Sequence, residues 1–304
     1  MDWKERRHAQ DWLIFPQNIG PNLSIDELSL SQGELYTFVT NKDGKGKEGT
    51  LVACIKGTKS SVIGKYLDKI PGSLRDQVQE VTLDMAKNME SAIRGSFPQA
   101  QLVTDRFHVM ALAYKDLQLM RTKLWRVCLE QENEEMEQAK KKRTSYKPKE
   151  YSNGDSPKQL LARSRFALFK PASKWTGNQS IRMKLLFEHY PNLKYAWQHV
   201  QDLAHIYSLD NRNQAYHKFK QWIDHSKHPE KHYWNKDEFD TLKAFIPTAN
   251  SISYHLDSIL NFFTNRSTNA NAESFNAKIK LFRSKLKGVR DIPFFLFRLT
   301  KLFA

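Results

Sequence analysis

Three acidic residues, widely separated in the chain, are the groups best suited to do chemistry: Asp26, Asp84 and Glu273. Carboxylates are hard oxygen donors, and three of them brought together hold Mg²⁺ or Mn²⁺. Two such ions about 4 Å apart activate an attacking oxygen and stabilise a leaving one during phosphoryl transfer. That reaction asks the protein for little beyond position and charge. Each acid also has an ordinary structural use. Asp84 follows a strand and precedes a helix, where Asp is a common N-cap. Glu273 lies in a first helical turn, where the dipole favours it. Asp26 could stand exposed beside Glu27. Asp105 and His108 form a sharper pair, three residues apart across a strand-to-helix junction. Asp105 could orient the imidazole, or His108 could touch a phosphate or a coordinated water. The alternative is an N-cap Asp with a partly buried His.

Positioning these groups falls to the stretch from Val78 to Met110. It reads as a strand over 78–83 ending at Asp84, a helix over 85–97 stopped by Pro98, a strand over 101–104 leading to Asp105, and the start of another helix. Strand ends that present carboxylates on either side of one crossover helix put charge at the rim of a parallel sheet. Upstream, residues 23–30, 35–40 and 50–56 read as strands, with hairpin chemistry at Asn41-Lys42-Asp43-Gly44. They predict an antiparallel meander. Ser60 or Ser61 caps a helix that ends before Pro71 and Gly72. The order is β-β-β-α-β-α-β. Right-handed crossovers lay the later strands parallel to the first, so that Asp26 approaches Asp84.

From residue 107 to 265 the pattern turns helical and basic, with helices predicted at 107–139, 157–169, 180–206, 211–225 and 236–262. The run AKKKRTSYKPKEYSNGDSP between the first two is expected to be a mobile loop. In the last segment, 268–303, Phe275, Ile279, Phe282 and Leu286 share one helical face. Glu273, Lys280 and Lys287 fall nearly opposite, so Glu273 reaches the sheet edge only if the helix crosses that edge or its first turn is distorted.

The 304-residue chain is 40% hydrophobic, enough for a packed core. Its 48 Lys and Arg against 33 Asp and Glu leave a net charge of +15, which points to a polyanionic partner, most simply nucleic acid. A basic protein with no such partner is the plain alternative. Cys54 and Cys128 are the only cysteines and form no Cys-x-x-Cys pair, so neither a thiolate zinc site nor a disulfide framework is indicated. The N-terminus lacks a signal-peptide core and no stretch has the length of a membrane span, so a soluble cytoplasmic, nucleoid-associated protein is expected. Lys278, Lys280, Arg283, Lys285, Lys287 and Arg290 crowd the helix that carries Glu273 and are candidates, with Arg106, for holding DNA phosphates. Trp175, Trp197, Trp222 and Trp234 suit base stacking but are expected mostly in the core. His225, His228 and His232 lack a convincing metal spacing and read as a polar loop.

Four segments taken together resemble the DDE transposases of bacterial insertion sequences, the ISL-three-like branch with an Asp-x-x-His motif. They are SIDELSL with Asp26, VTLDMAKNM with Asp84, FPQAQLVTDRFHVM with Asp105 and His108, and NANAESFNAKIKLFRSKLKG with Glu273. The resemblance covers residues 23–121 and 265–303. It implies an α/β fold: a ribonuclease-H-like mixed sheet with a large all-α insertion before the last helices. The expected organisation is a lead-in over 1–22, the first part of the core over 23–112, the insertion over 113–265 and C-terminal helices over 266–304. By the same resemblance, Asp26, Asp84 and Glu273 hold Mg²⁺ or Mn²⁺ as two ions, with Asp105 and His108 as the accessory pair. Asp105 remains the competing choice for the second ligand. The activity implied is DNA strand cleavage and strand transfer at transposon ends and target, by a homo-oligomer on DNA. A related structure-selective nuclease would use the same acids, and an inactivated copy would only bind DNA. Members usually begin with a DNA-binding region. With 22 residues before the first strand, either a separate chain of the same element supplies end recognition or this copy is truncated, and the separate chain is the favoured expectation.

Overall fold

The computed structural model describes residues 3–31, 33–231, 236–289 and 291–304. His232, Trp234 and Arg290 lie outside the described residues. The strands are β1 (Trp12–Ile14), β2 (Asn22–Ser31), β3 (Glu34–Asn41), β4 (Leu51–Lys56), β5 (Glu80–Leu83) and β6 (Gln101–Thr104). The first helices are α1 (Ser60–Leu67), α2 (Gly72–Arg75), α3 (Lys87–Ser96) and α4 (Arg106–Lys141). Then come α5 (Pro157–Arg163), α6 (Gly177–His189), α7 (Pro191–Ile206), α8 (Arg212–Lys227), α9 (Lys236–Leu242) and α10 (Ile246–Tyr254). Last are α11 (Leu256–Asn265), α12 (Ala270–Lys285) and α13 (Ile292–Phe303).

Contacts divide the chain into two compact units, one of residues 1–108 and 255–304, the other of residues 109–254. The first holds one six-stranded mixed sheet in the order β1-β4-β3-β2-β5-β6. β2, β3 and β4 form the antiparallel meander, and β5 and β6 continue the sheet in parallel with β2. β1 is a sixth strand within the segment read as a polar lead-in. Leu13 pairs with Cys54 on β4 and is fully buried. The alternation Trp-Leu-Ile was its signal, too short for periodicity to separate from a loop.

Alternation along the strands sorts side chains to two covered faces. Leu23, Ile25, Val39, Val81 and Leu83 pack with Ile63 and Leu67 of α1 and Ile93 of α3. Leu28, Leu30, Phe38 and Cys54 pack on the other face with Phe275 and Ile279 of α12 and Leu296 and Leu299 of α13. Period two along β2 therefore puts Asp26 on the α12 side. α11 lies against β6, where Asn261 Nδ2 donates to Leu102 O at 2.8 Å and the hydroxyls of Thr104 and Ser258 meet at 2.7 Å. On α12 the apolar stripe is buried at Phe275 and Ile279, but Leu286 is exposed because the helix ends at Lys285.

The second unit contains helices and connecting segments and no strand among its described residues. The helix expected over 180–206 is two, because Pro191 opens α7 after Tyr190. The charged segment after α4 is more built than expected. Asp155 is fully buried and receives Arg182 at 2.8 Å as well as Arg163 and Asn153. Ser156 and Gln159 then form a capping box on α5. Trp222 is buried, stacked on His199 at 4.3 Å, with its indole N–H donating to His199 O. Trp175 and Trp197 pair at 5.2 Å and donate to backbone carbonyls. All three pack as core and partly buried residues. His225 lies in the last turn of α8 and His228 caps it, 3.7 Å from Glu230. Both cysteines are free thiols.

Candidate functional site

β2 pairs with β5 in parallel, Ser24 opposite Thr82, and β5 pairs with β6, Leu83 opposite Thr104. Carried one or two residues past the last paired positions, that register sets Asp26, Asp84 and Asp105 in a row across three adjacent strands. The mixed sheet thus brings together acids that are 58 and 21 residues apart in the sequence. α12 supplies Glu273 from its first turn, and α4 supplies His108.

Each strand-borne carboxylate is held by the chain. Asp26 Oδ1 accepts the Glu27 N–H at 2.8 Å and Oδ2 accepts Asn276 Nδ2 at 2.6 Å. Asp84 Oδ1 accepts the Ala86 N–H at 2.8 Å, the turn-finishing use the sequence allowed. That turn delays α3 to Lys87. Asp105 is buried, and its Oδ1 receives the Asn269 N–H at 3.3 Å, from the segment that leads into α12. A carboxylate 164 residues away is thereby tied to the start of the helix that bears Glu273.

The acids act on one another. Burial pushes the Asp26 carboxyl above its ordinary range and Asp84 adds to the rise, while the Glu27 amide, His108 and Lys280 oppose it. Glu273 is also raised, first by partial burial and then by Asp105 and Asp26, with His108 opposing. Glu27 is raised by burial and by Asp84 and Asp26. These interactions join Asp26, Asp84, Asp105, His108 and Glu273 in one neighbourhood. The buried face of α12 runs through Ala272, Phe275, Asn276 and Ile279, and Glu273, three residues before Asn276, is itself exposed at the margin of that face.

Among the described residues, no group of three or more His, Cys, Asp or Glu side chains is arranged so as to hold a metal ion. The residues nevertheless fit a hard divalent ion in kind: they are oxygen donors whose crowding such an ion relieves. Asp105 Oδ2 is in addition buried with no hydrogen-bond partner among the described residues. An orphaned buried carboxylate oxygen is costly, and a cation or a solvent donor would satisfy it.

The basic residues of α12 divide into two groups. Lys278 Nζ donates to Gly46 O at 2.7 Å and an Arg283 guanidinium nitrogen to Ser29 O at 3.2 Å, so both fasten the helix to the sheet unit. Gly46 has φ +70°, a left-handed backbone conformation that favours glycine. Lys280, Lys285 and Lys287 are exposed, as is Arg106 at the start of α4. Sequence reasoning missed Asn269 and Asn276. Their signal was polarity at positions the helix buries, visible only once the buried face is known.

The chain matches the transposase family of ISL3-type insertion sequences over residues 23–299. It is 24% identical over 275 residues to the transposase for insertion sequence element IS1557 of Mycobacterium tuberculosis, covering 88% of this chain and 57% of that protein. It is 22% identical over 283 residues to the transposase for insertion sequence element IS1001 of Bordetella parapertussis, covering 92% of this chain and 60% of that protein. The chain thus spans about three fifths of the length of these relatives. No solved structure shows significant similarity to it.

Proposed function

The chain belongs to the DDE transposase family of ISL3-type insertion sequences, and we propose that it carries metal-dependent DNA strand cleavage and strand transfer at a single acidic site. The observation that supports this most is the shared electrostatic neighbourhood of Asp26, Asp84, Asp105, His108 and Glu273 beyond the paired ends of β5 and β6. Three antiparallel strands followed by two parallel ones, with helices on both faces, support a ribonuclease-H-like reading of the sheet.

In this reading Asp26, Asp84 and Glu273 hold Mg²⁺ or Mn²⁺. Bound there, two ions would activate the attacking oxygen and neutralise charge on the leaving oxygen. Asp84 is taken as second ligand because β5 pairs directly with β2, whereas β6, which leads to Asp105, lies one strand further away. Asp105 then keeps Glu273 in register with the sheet. His108, which acts on both Asp26 and Glu273, faces the phosphate as donor or cation. Lys280, Lys285, Lys287 and Arg106 hold the DNA backbone without reading sequence. A water serves as nucleophile in the first step and the freed 3′-hydroxyl in the second.

The test uses DNA carrying the sequences that flank the coding frame. Asp84→Asn is expected to abolish cleavage with Mg²⁺ or Mn²⁺ while DNA binding persists. Wild-type cleavage by that variant would remove the proposal. Pre-cleaved ends offered to a target plasmid separate a transposase, which yields a joined product, from a nuclease on the same fold, which does not.

A further inference from the structure

Asn276 is a polar side chain on the buried face of α12, between Phe275 and Ile279, and it is only 7% exposed. A buried amide at a helix position is costly unless it is bonded. This amide spends its Nδ2 donor on Asp26 Oδ2, at 2.6 Å and across 250 residues of sequence. Together with the Glu27 N–H on Oδ1 it fixes both oxygens of one carboxylate. A carboxylate has about four lone-pair sites, so two donors leave room for a cation while setting the plane of the group.

From this geometry we infer that Asn276 is a positioning residue for metal loading: it holds the Asp26 carboxylate in the orientation a divalent cation requires. The inference rests on the proposed role of Asp26 as a metal ligand. Its physical basis is that outer-shell donors orient ligating carboxylates, and that losing such a donor costs roughly 10–100-fold in metal affinity or activity. The spacing adds a second consequence. Asn276 lies one turn from Glu273 on the same helix, so one element both supplies an acid and sets another on the neighbouring strand.

Mn²⁺ titration followed by electron paramagnetic resonance reads this directly, with no turnover needed. Asn276→Ala and the nearly isosteric Asn276→Leu are expected to weaken Mn²⁺ binding roughly 10–100-fold, with DNA binding close to wild type and a cooperative melt at a temperature lowered by the lost hydrogen bond. On an Asp26→Asn background the same substitutions are expected to have no further effect, because the group they orient is gone. Wild-type Mn²⁺ affinity in a folded Asn276 variant overturns the inference and leaves the proposed function standing. So does an equal loss on the Asp26→Asn background, which marks a purely structural role. A wild-type chain whose Mn²⁺ binding is unchanged by Asp26→Asn overturns both.

Discussion

Replacing Lys42 by Met is expected to cost about 3–5 kcal/mol of folding stability in the sheet unit at neutral pH. The reason lies in Glu80, a carboxylate within β5 that is 3% exposed. Lys42 Nζ stands 2.7 Å from Glu80 Oε1, with both side chains almost wholly covered, and also bonds Thr82. Asn265 contributes a weaker contact at 3.4 Å. Despite burial, these partners hold the Glu80 carboxyl below its ordinary range, with the Lys42 hydrogen bond the largest of the lowering effects. Without the ammonium, a buried anion keeps only neutral donors, and domains are stable by only about 5–15 kcal/mol in total. The pair's contribution is present above the unfolded carboxyl value near 4.5 and fades as pH falls through the lower folded value. In Lys42→Met the Glu80 carboxyl rises instead, so the cost shrinks on acidification. The double variant Lys42→Met/Glu80→Gln is expected to recover most of the loss. Hydrogen exchange at β2 and β5 amides in urea measures this unit separately. A single-variant cost under about 1 kcal/mol, or a double variant no better than the single, would refute the reasoning.

Asp26→Asn is expected to remove cleavage activity and to leave stability near neutral pH close to wild type, since relief of the buried charge is offset by loss of one of the two oxygens that accept the Glu27 N–H and Asn276 Nδ2; a thermal melt without metal checks it. His199 in the helical unit is pulled down to about 3 by burial, with His225 adding to the effect. It folds neutral, so stability is expected to drop as pH falls from the ordinary value of 6.5 toward 3, by up to on the order of 5 kcal/mol, and a pH series of melts on wild type and His199→Phe measures this. Lys285→Ala and Lys287→Ala are each expected to lower the salt dependence of DNA binding by about one phosphate contact, whereas Lys278→Ala and Arg283→Ala should mainly lower stability; binding across a salt series separates the two groups.

The strands around the acids were legible because each has a distinct pattern. Apolar alternation through 23–30 and the short run ending at Asp84 locate β2 and β5, and the rule for crossovers makes them parallel neighbours. β6 was readable to the residue. What escaped has a common cause, since it depends on partners distant in sequence. β1 is three residues long and exists because β4 offers an edge. Asp155 reads as part of a charged loop until two guanidinium groups meet it. Lys278 and Arg283 look like a solvated basic face, yet carbonyls of the sheet unit claim them. The neighbourhood of the acids could be inferred from topology, but not the atoms that hold them: Asn276 is supplied by α12 and the Asn269 amide by the residue before it, and no local pattern docks that helix onto β2.

The pleat gives the acidic row an unequal tolerance to change in length. Adding or deleting one residue between Leu23 and Asp26, or between Val81 and Asp84, would turn one carboxylate to the opposite side of the sheet, away from its companions. Residues gained or lost in the connections, such as the segment from Thr144 to Gly154, carry no such penalty. Relatives of this chain should therefore differ freely in the spacing between motifs while keeping the count from strand start to acid unchanged.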